Sequence, residues 1–215
     1  MPVLFHRLLV AAVVGGWVLA VAPAVAEDAA LIAKAESYLN AMTTLKGRFI
    51  QVAPSGESTE GSVLLARPGR MRLDYDPPQN IQIIARDHIL YYYDPQLGQP
   101  SYLDLDSTPA GVLIRPQIAL NSGDIKVVRL QERSGLIEIT VHHPDNPGEG
   151  QITLVFTASP FALRQWRVLD AQRQTTTVSL LGLQSGVAVD GKSFEFVDPN
   201  FSTPQDAVLG RKNAP

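Results

Sequence analysis

Few side chains in this 215-residue chain have the type and spacing that metal binding or thiol chemistry requires. The chain has no cysteine, which excludes thiol catalysis, disulfide bonds, cysteine-ligated metal centres and the acylated cysteine that anchors a bacterial lipoprotein. Its four histidines include the adjacent pair His142 and His143. That pair falls in a predicted strand, where neighbouring side chains point to opposite faces, so we do not expect one metal ion to be held by both.

The short motifs that build common active sites are also missing from the sequence. There is no Gly-x-Ser-x-Gly turn, no glycine-rich phosphate loop of the P-loop or dinucleotide type, and no His-Glu-x-x-His zinc motif. Carboxylates such as Asp74, Asp76 and Asp87 fall in alternating strands and turns, where they are usually solvated. We therefore predict a protein that is not an enzyme and that uses no metal and no cofactor.

Charge and composition limit the possible partners. The chain carries 18 Lys+Arg against 21 Asp+Glu, a formal net charge of −3, so it has no basic excess with which to neutralise phosphates. Nucleic acid is therefore not expected as a partner, and electrostatic attraction to an anionic membrane is weak. With 45% hydrophobic and 18% charged residues, the composition is that of a folded domain and not of a disordered chain.

The first 26 residues predict a cleaved secretory signal peptide. Two polar residues, His6 and Arg7, precede an apolar run over residues 8–22, and Ala-Val-Ala at 24–26 is a pattern that signal peptidase cuts. A membrane anchor is the alternative, but the run is shorter than the roughly 20 residues that a spanning helix needs and is interrupted by two glycines. We expect an exported chain with one domain over residues 27–215.

Hydrophobic periodicity predicts one helix followed by many strands. Residues 28–42 have apolar side chains at helical spacing, which indicates an amphipathic helix. The period then changes to two, most clearly where Met71, Leu73 and Tyr75 alternate with charged residues. Short turn-forming breaks imply antiparallel neighbours. About eleven strands are predicted, at residues 45–53, 58–67, 70–76, 80–86, 88–94, 99–106, 124–133, 136–143, 151–157, 163–170 and 174–184.

One apolar insertion, residues 107–123, interrupts the strands. It contains Pro109 and Pro116, which a central strand would not tolerate. We expect two short helices here, one starting at Pro109 after a cap by Ser107 or Thr108, and one starting at Pro116. Because so few helices cannot cover a face of an eleven-stranded sheet, the pattern allows either a closed, filled barrel or a half-open barrel with a partly unfilled apolar face.

Five short motifs follow one another in a fixed order along most of the chain after residue 26. They are Phe49-x-Gln51, GSVLLARPGRMRLDY at 61–75, DHILYYYDP at 87–95, Thr108-Pro109 and GKSFEF at 191–196. In this order they resemble the LolA family of periplasmic outer-membrane lipoprotein carriers. The sequence departs from the family pattern at residues 86–88, where relatives often have Asp-Gly, and in the tail after Phe201.

The resemblance implies a fold and a function. The fold is mainly β with helices (α+β): an antiparallel half-open barrel of about eleven strands, with an α-helical lid over an apolar cavity. The function is that of a monomeric periplasmic chaperone, which takes lipoproteins from an inner-membrane ABC-type release complex and passes them to an outer-membrane acceptor. A LolA-like carrier or sensor for another amphiphile, such as a glycolipid, is the alternative.

The resemblance also assigns roles to individual residues. Acyl chains of the cargo are expected to contact apolar strand and lid residues, namely Phe49, Met71, Leu73, Tyr75, Ile81, Ile83, Val112, Leu113 and Ile114. Arg67 matches the arginine before proline that in LolA relatives hydrogen-bonds the lid and holds it shut when the cavity is empty. Its five N–H donors suit the free carbonyls at the ends of short helices.

Overall fold

One long helix precedes eleven strands in the structure, a computed structural model that describes residues 23–197. The predicted signal peptide, except for its last four residues, and the tail after Phe201 lie outside the described residues. The helices are α1 (Pro23–Ala41) and four 3-10 helices, at Leu105–Ser107, Pro109–Ile114, Pro147–Glu149 and Gly191–Phe194. The strands are β1 (Thr44–Val52), β2 (Ser58–Ala66), β3 (Arg70–Tyr75), β4 (Gln82–Arg86), β5 (Ile89–Tyr93), β6 (Pro100–Asp104), β7 (Lys126–Arg133), β8 (Leu136–His142), β9 (Gly150–Ala158), β10 (Phe161–Asp170) and β11 (Thr175–Ser185).

All eleven strands form one antiparallel sheet in the order β6-β5-β4-β3-β2-β1-β11-β10-β9-β8-β7. The two halves of the chain meet where β1 pairs with both β2 and β11. Because β6 and β7 are the two ends of this order, the sheet is open and not a closed barrel. The half-open, mainly β architecture that the family resemblance implies is confirmed, and each predicted strand end lies within two residues of the observed one.

Alternation along the strands gives the sheet an apolar inner face and a polar outer face. On β3, Met71, Leu73 and Tyr75 are buried, while the alternating Arg72 and Asp74 are half-buried on the outer side. Helix α1 covers the inner face, and the rings of Tyr38 and Phe156 meet edge to face at 5.9 Å. No helix among residues 23–197 is long and apolar enough to cross a membrane.

The insertion between β6 and β7 differs from its prediction. Its first helix does begin at Pro109, but it is a 3-10 helix and not an α-helix, and we call it the lid helix (Pro109–Ile114). Thr108 takes the N-cap position, yet its hydroxyl donates backwards to the Leu105 carbonyl at 2.8 Å. The second helix, expected from Pro116, was a wrong prediction, because the chain from 115 to 125 has only turns and bends.

The C-terminal 3-10 helix, Gly191–Phe194, packs on the outer face of the sheet. Phe194 is fully buried there between Ala66 and Ile84, and the ring of Phe196 stacks on Tyr91 with centroids 5.4 Å apart. The GKSFEF motif therefore forms a second, smaller apolar cluster. It covers the side of the sheet opposite to α1.

Candidate functional site

The nine residues expected to contact acyl chains lie in one hydrophobic cluster on the inner face. Phe49 on β1 and Tyr75 on β3 meet edge to face with ring centroids 5.0 Å apart. Ile81 and Ile83 are half-buried and pack against the same cluster at the β4 side. The remaining five, which are Met71, Leu73 and the lid residues Val112, Leu113 and Ile114, are at most 5% exposed.

These residues come from separate parts of the chain and are brought together where α1 and the lid helix pack on the sheet. We call these two helices the cover. The strand members are placed inward by the period of two, whereas the three lid residues follow one another in a tight 3-10 turn. Helix α1 adds Ala35 and Leu39 to the same cluster, and Met42, the residue directly after the helix, adds a third apolar side chain. The apolar inner face is thus closed by two elements, α1 and the lid helix, that are not part of the sheet.

One polar group lies at the end of this apolar surface. The Tyr75 hydroxyl donates to Gln51 Oε1 at 2.7 Å, which places both residues of the Phe49-x-Gln51 motif against Tyr75. Burial raises the pKa of Tyr75 to about 12, and the nearby Tyr92 adds to this. The phenol is therefore neutral at physiological pH and its single hydrogen is satisfied.

Arg67 binds the C-terminal end of α1. Its guanidinium donates to the carbonyl oxygens of Leu39, Asn40 (2.9 Å) and Met42 (3.2 Å) and to Asn40 Oδ1 (3.4 Å). The last carbonyls of a helix have no partner within it and carry partial negative charge, so a cation is favourable there. The structure differs from the expectation in the identity of the helix, since Arg67 contacts the long helix α1 and not the lid helix. Burial lowers the pKa of Arg67.

The turn that carries Arg67 also binds the lid helix. The turn between β2 and β3, residues 67–69, ends at Gly69, whose N–H donates to the Ile114 carbonyl at 2.7 Å. Gly69 has φ +72°, a left-handed conformation that glycine adopts without strain. This β2–β3 turn therefore caps the C-terminal ends of both α1 and the lid helix.

Two residues of α1 that the sequence interpretation left without a role also belong to the site. Asn40 Oδ1 accepts from the Ile118 N–H at 2.9 Å, and its Nδ2 donates to the Ile118 carbonyl at 2.8 Å. Glu36 Oε1 accepts from the Leu120 N–H at 2.7 Å. Their spacing of four residues places them on one side of α1, but the sequence does not indicate which segment faces them.

These contacts explain why no helix forms after Pro116. The backbone of a buried segment must find hydrogen-bond partners. Side chains from α1 supply these partners to Ile118 and Leu120, so the segment needs no helical bonds of its own. Its side chains Ile118 and Leu120 are fully buried in the core.

A cleft of about 680 Å³, lined by both apolar and charged residues, opens beside the cover. Its walls include the β2–β3 turn and two residues of the lid helix, Gly111 and Ile114. Arg115, at the end of the lid helix, pairs with Asp124. Burial alone would raise the pKa of the Asp124 carboxyl, but the hydrogen bond and the charge of Arg115 outweigh this effect, so the pKa is lowered. The contact between turn and lid helix is thus next to solvent.

Among residues 23–197, no three histidine and carboxylate side chains are grouped so that they could hold a metal ion. His88 pairs with Asp106, its Nδ1 lying 2.9 Å from Oδ2, and both side chains are mostly exposed. Around the cover, Arg67, Asn40 and Glu36 act on helix ends and backbone groups. The chemistry that this arrangement supports is apolar burial under a cover held by hydrogen bonds.

Comparisons with known proteins agree with this architecture. The family described as "Outer membrane lipoprotein carrier protein LolA" matches residues 40–197. An outer-membrane lipoprotein carrier protein of Pseudomonas aeruginosa is 27% identical over 207 residues, which covers 91% of this chain and 95% of the relative. One from Alkalilimnicola ehrlichii is 29% identical over 205 residues, covering 90% and 92%.

A solved structure shares the fold at low sequence identity. A DUF1329 family protein from Desulfovibrio piger superposes with a TM-score of 0.50 at 9% identity, over 76% of this chain and 94% of that one. That likeness concerns the fold alone. The family match, which spans well over half of the residues, is the stronger finding, and it shows that the chain belongs to the LolA family of outer membrane lipoprotein carrier proteins.

Proposed function

We propose that this protein is a periplasmic carrier that shields the acyl chains of lipoproteins and transports them from the inner to the outer membrane. Its donor is an inner-membrane ABC-type release complex and its recipient is an outer-membrane acceptor. Carriage requires no bond to be made or broken, so we propose no catalytic residue. The nine inner-face and lid residues described above are the proposed contacts for the acyl chains.

The observation that carries the proposal is an apolar sheet face covered by separate elements that one turn holds in place. Arg67 and the Gly69 N–H together bind the ends of α1 and the lid helix. Releasing these contacts frees the edge of the cover without breaking a strand pair. The inner face that would then be uncovered includes Met71 and Leu73, which the cover otherwise keeps from water, and the half-buried Ile83.

Energetics favour a cover with two positions. Each exposed methylene group of a lipid costs roughly 0.8 kcal/mol in water, so a multi-chain cargo must be hidden while it crosses the periplasm. A rigid and fully complementary pocket would bind too tightly to unload. A cover that packs on the inner face when the protein is empty competes with the cargo and so assists its release.

The test is release of lipoproteins from inner-membrane vesicles. Vesicles that contain the release complex and labelled lipoproteins are supplied with ATP and incubated with this protein, and the soluble fraction is collected. We expect lipoproteins in that fraction to co-purify with the protein. If they stay with the vesicles while mass spectrometry finds another amphiphile, such as a glycolipid, bound to the protein, the lipoprotein cargo is refuted.

A further inference from the structure

A single side chain of another element binds both backbone groups of Ile118, its N–H and its C=O. Asn40 accepts from its N–H at 2.9 Å and donates to its carbonyl at 2.8 Å, across 78 positions of sequence. An asparagine amide has both a donor and an acceptor, so it can pair with a backbone residue as a neighbouring strand would. Asn40 thus supplies to Ile118 the two hydrogen bonds that secondary structure would otherwise provide.

Glu36 extends this pairing by one contact. Its Oε1 accepts from the Leu120 N–H at 2.7 Å, one turn of α1 before Asn40. Ile118 and Leu120 are at most 1% exposed, so water cannot easily take the place of Asn40 or Glu36 as their hydrogen-bond partner. Leaving a buried donor or acceptor unpaired is costly. The segment 115–120 and α1 are therefore more stable together than apart.

Arg67 also contacts the side-chain amide of Asn40. One of its terminal nitrogens lies 3.4 Å from Asn40 Oδ1, the atom that also accepts from the Ile118 N–H. A guanidinium only donates, so it favours the orientation in which Oδ1 faces Arg67 and Nδ2 faces the Ile118 carbonyl. Arg67 thereby helps to fix the amide in the orientation that binds Ile118.

We propose that Asn40 is a positioning residue through which Arg67 holds the segment 115–120, so that this segment moves together with α1. The lid helix lies directly before the segment and is carried with it. The effect on cargo transfer rests on the proposed carrier function. The coupling itself is a property of the empty protein and can be measured without cargo.

Hydrogen exchange of backbone amides tests the coupling. We would follow the Ile118 and Leu120 amides in the empty protein and in the variants Arg67→Leu, Asn40→Leu and the double variant. Asn40→Leu should accelerate exchange at Ile118 by about tenfold or more, the effect of losing a buried hydrogen bond. Arg67→Leu should accelerate Ile118 exchange in the parent. In the Asn40→Leu background it should add less than about twofold, because the Asn40 side chain through which Arg67 acts on Ile118 is already gone.

Two further variants separate positioning from general loosening of α1. Asn40→Asp keeps an acceptor for the Ile118 N–H and for Arg67 but loses the Nδ2 donor to the Ile118 carbonyl, so its Ile118 exchange should lie between that of the parent and that of Asn40→Leu. Ser37→Leu changes an exposed position of the same helix and should leave Ile118 unaffected. Equal acceleration by Arg67→Leu in both backgrounds, or none in the parent, would overturn the proposal.

The same proteins separate this inference from the proposed function. If the parent and its variants differ in Ile118 exchange as expected but the parent never takes up a lipoprotein, the carrier function fails and the coupling stands. If the parent carries lipoproteins but Arg67→Leu leaves the Ile118 amide unchanged, the coupling fails and the carrier function stands.

Discussion

Arg67 donates its hydrogen bonds to groups that a helix cannot satisfy internally. Arg67→Leu removes them while keeping a side chain of moderate size, so the closed empty form should lose stability relative to the loaded form. Cargo should load at least as well but transfer more slowly. By linkage, the gain in loading affinity is bounded by the lost contacts, roughly 1 to 3 kcal/mol.

Transfer of a preloaded lipoprotein to an acceptor membrane measures this effect. The parent and Arg67→Leu should be compared at equal loading, with Arg164→Leu, an exposed arginine on β10, as the matched control. The control should transfer as the parent does. Equal transfer by Arg67→Leu and the parent would return Arg67 to a purely structural role.

Tyr75 provides a prediction about alkaline pH. Its folded-state pKa of about 12 lies above the ordinary value of 10, so the folded protein holds the phenolic proton more tightly than the unfolded chain does. The resulting stabilisation is complete below pH 10 and is lost as pH rises towards 12, with a size on the order of 2 kcal/mol. Tyr75→Phe should have a smaller loss of unfolding free energy between pH 9 and 11 in urea titrations. Parallel pH profiles for both proteins would contradict this assignment.

Some residues of the site could be predicted from the sequence, but the contacts that they make could not. Arg67 and Tyr75 stand in motifs that drew attention to them, and Gln51 belongs to one of those motifs. Asn40 and Glu36 have no such signal, because a polar residue on an amphipathic helix is usually solvated. Their partners lie more than 75 residues away and become neighbours only when the sheet curves under α1.

At the scale of elements, the inner face of β3 carries the next prediction. Leu73→Glu would place an unpaired carboxylate among apolar side chains, which is strongly disfavoured, so acyl binding should be lost. Ile83→Glu tests the same face at a half-buried position on β4 that tolerates a charge more easily. Lipoprotein bound per folded protein, with folding checked by circular dichroism, is the measurement.

A matched control lies on the other side of the sheet. Leu181→Glu makes the same change at a residue of β11 that is 47% exposed and pairs with Arg48 on the outer face. It should bind cargo as the parent does. Normal carriage by folded Leu73→Glu and Ile83→Glu proteins would mean that the inner face is not the binding surface.

The lid helix depends on a glycine at a close approach. A Cβ at Gly111 would lie 2.7 Å from the Leu105 carbonyl oxygen, a distance that backbone atoms can relieve only by shifting. Gly111→Ala should therefore destabilise the protein by about 1 to 3 kcal/mol. Gly148→Ala, in a 3-10 helix with open space around the new methyl group, is the control. Thermal unfolding should show a lower Tm for Gly111→Ala alone, and equal Tm values would contradict the crowding.

Elements with a strong local period were predictable, and those stabilised by distant partners were not. The alternation in residues 70–76 depends only on which side chains face inward, so β3 was assigned within one residue. Pro116 is a good helix start in isolation, but α1 side chains satisfy the backbone that follows it. Tertiary hydrogen bonds there replaced the local structure that the sequence favoured.

At the scale of the whole molecule, the eleven strands form one open sheet whose apolar inner face is covered by α1 and the lid helix. The sequence left a filled closed barrel and a half-open one as alternatives, because alternation marks the inner face but does not say whether the edge strands join. The observed strand order answers this, since β6 and β7 stand at opposite ends. An open sheet allows the cover to move without unpairing strands.

The central claim is that acyl chains lie against the inner face, beneath α1 and the lid helix. Photo-leucine placed at position 73 or 181 keeps the size of the native leucine on the inner or outer face. Each protein would be loaded with a lipoprotein labelled in its acyl chains and irradiated. We predict a labelled adduct for position 73 and background for position 181. Equal labelling at both positions, or labelling at 181 alone, would contradict the account.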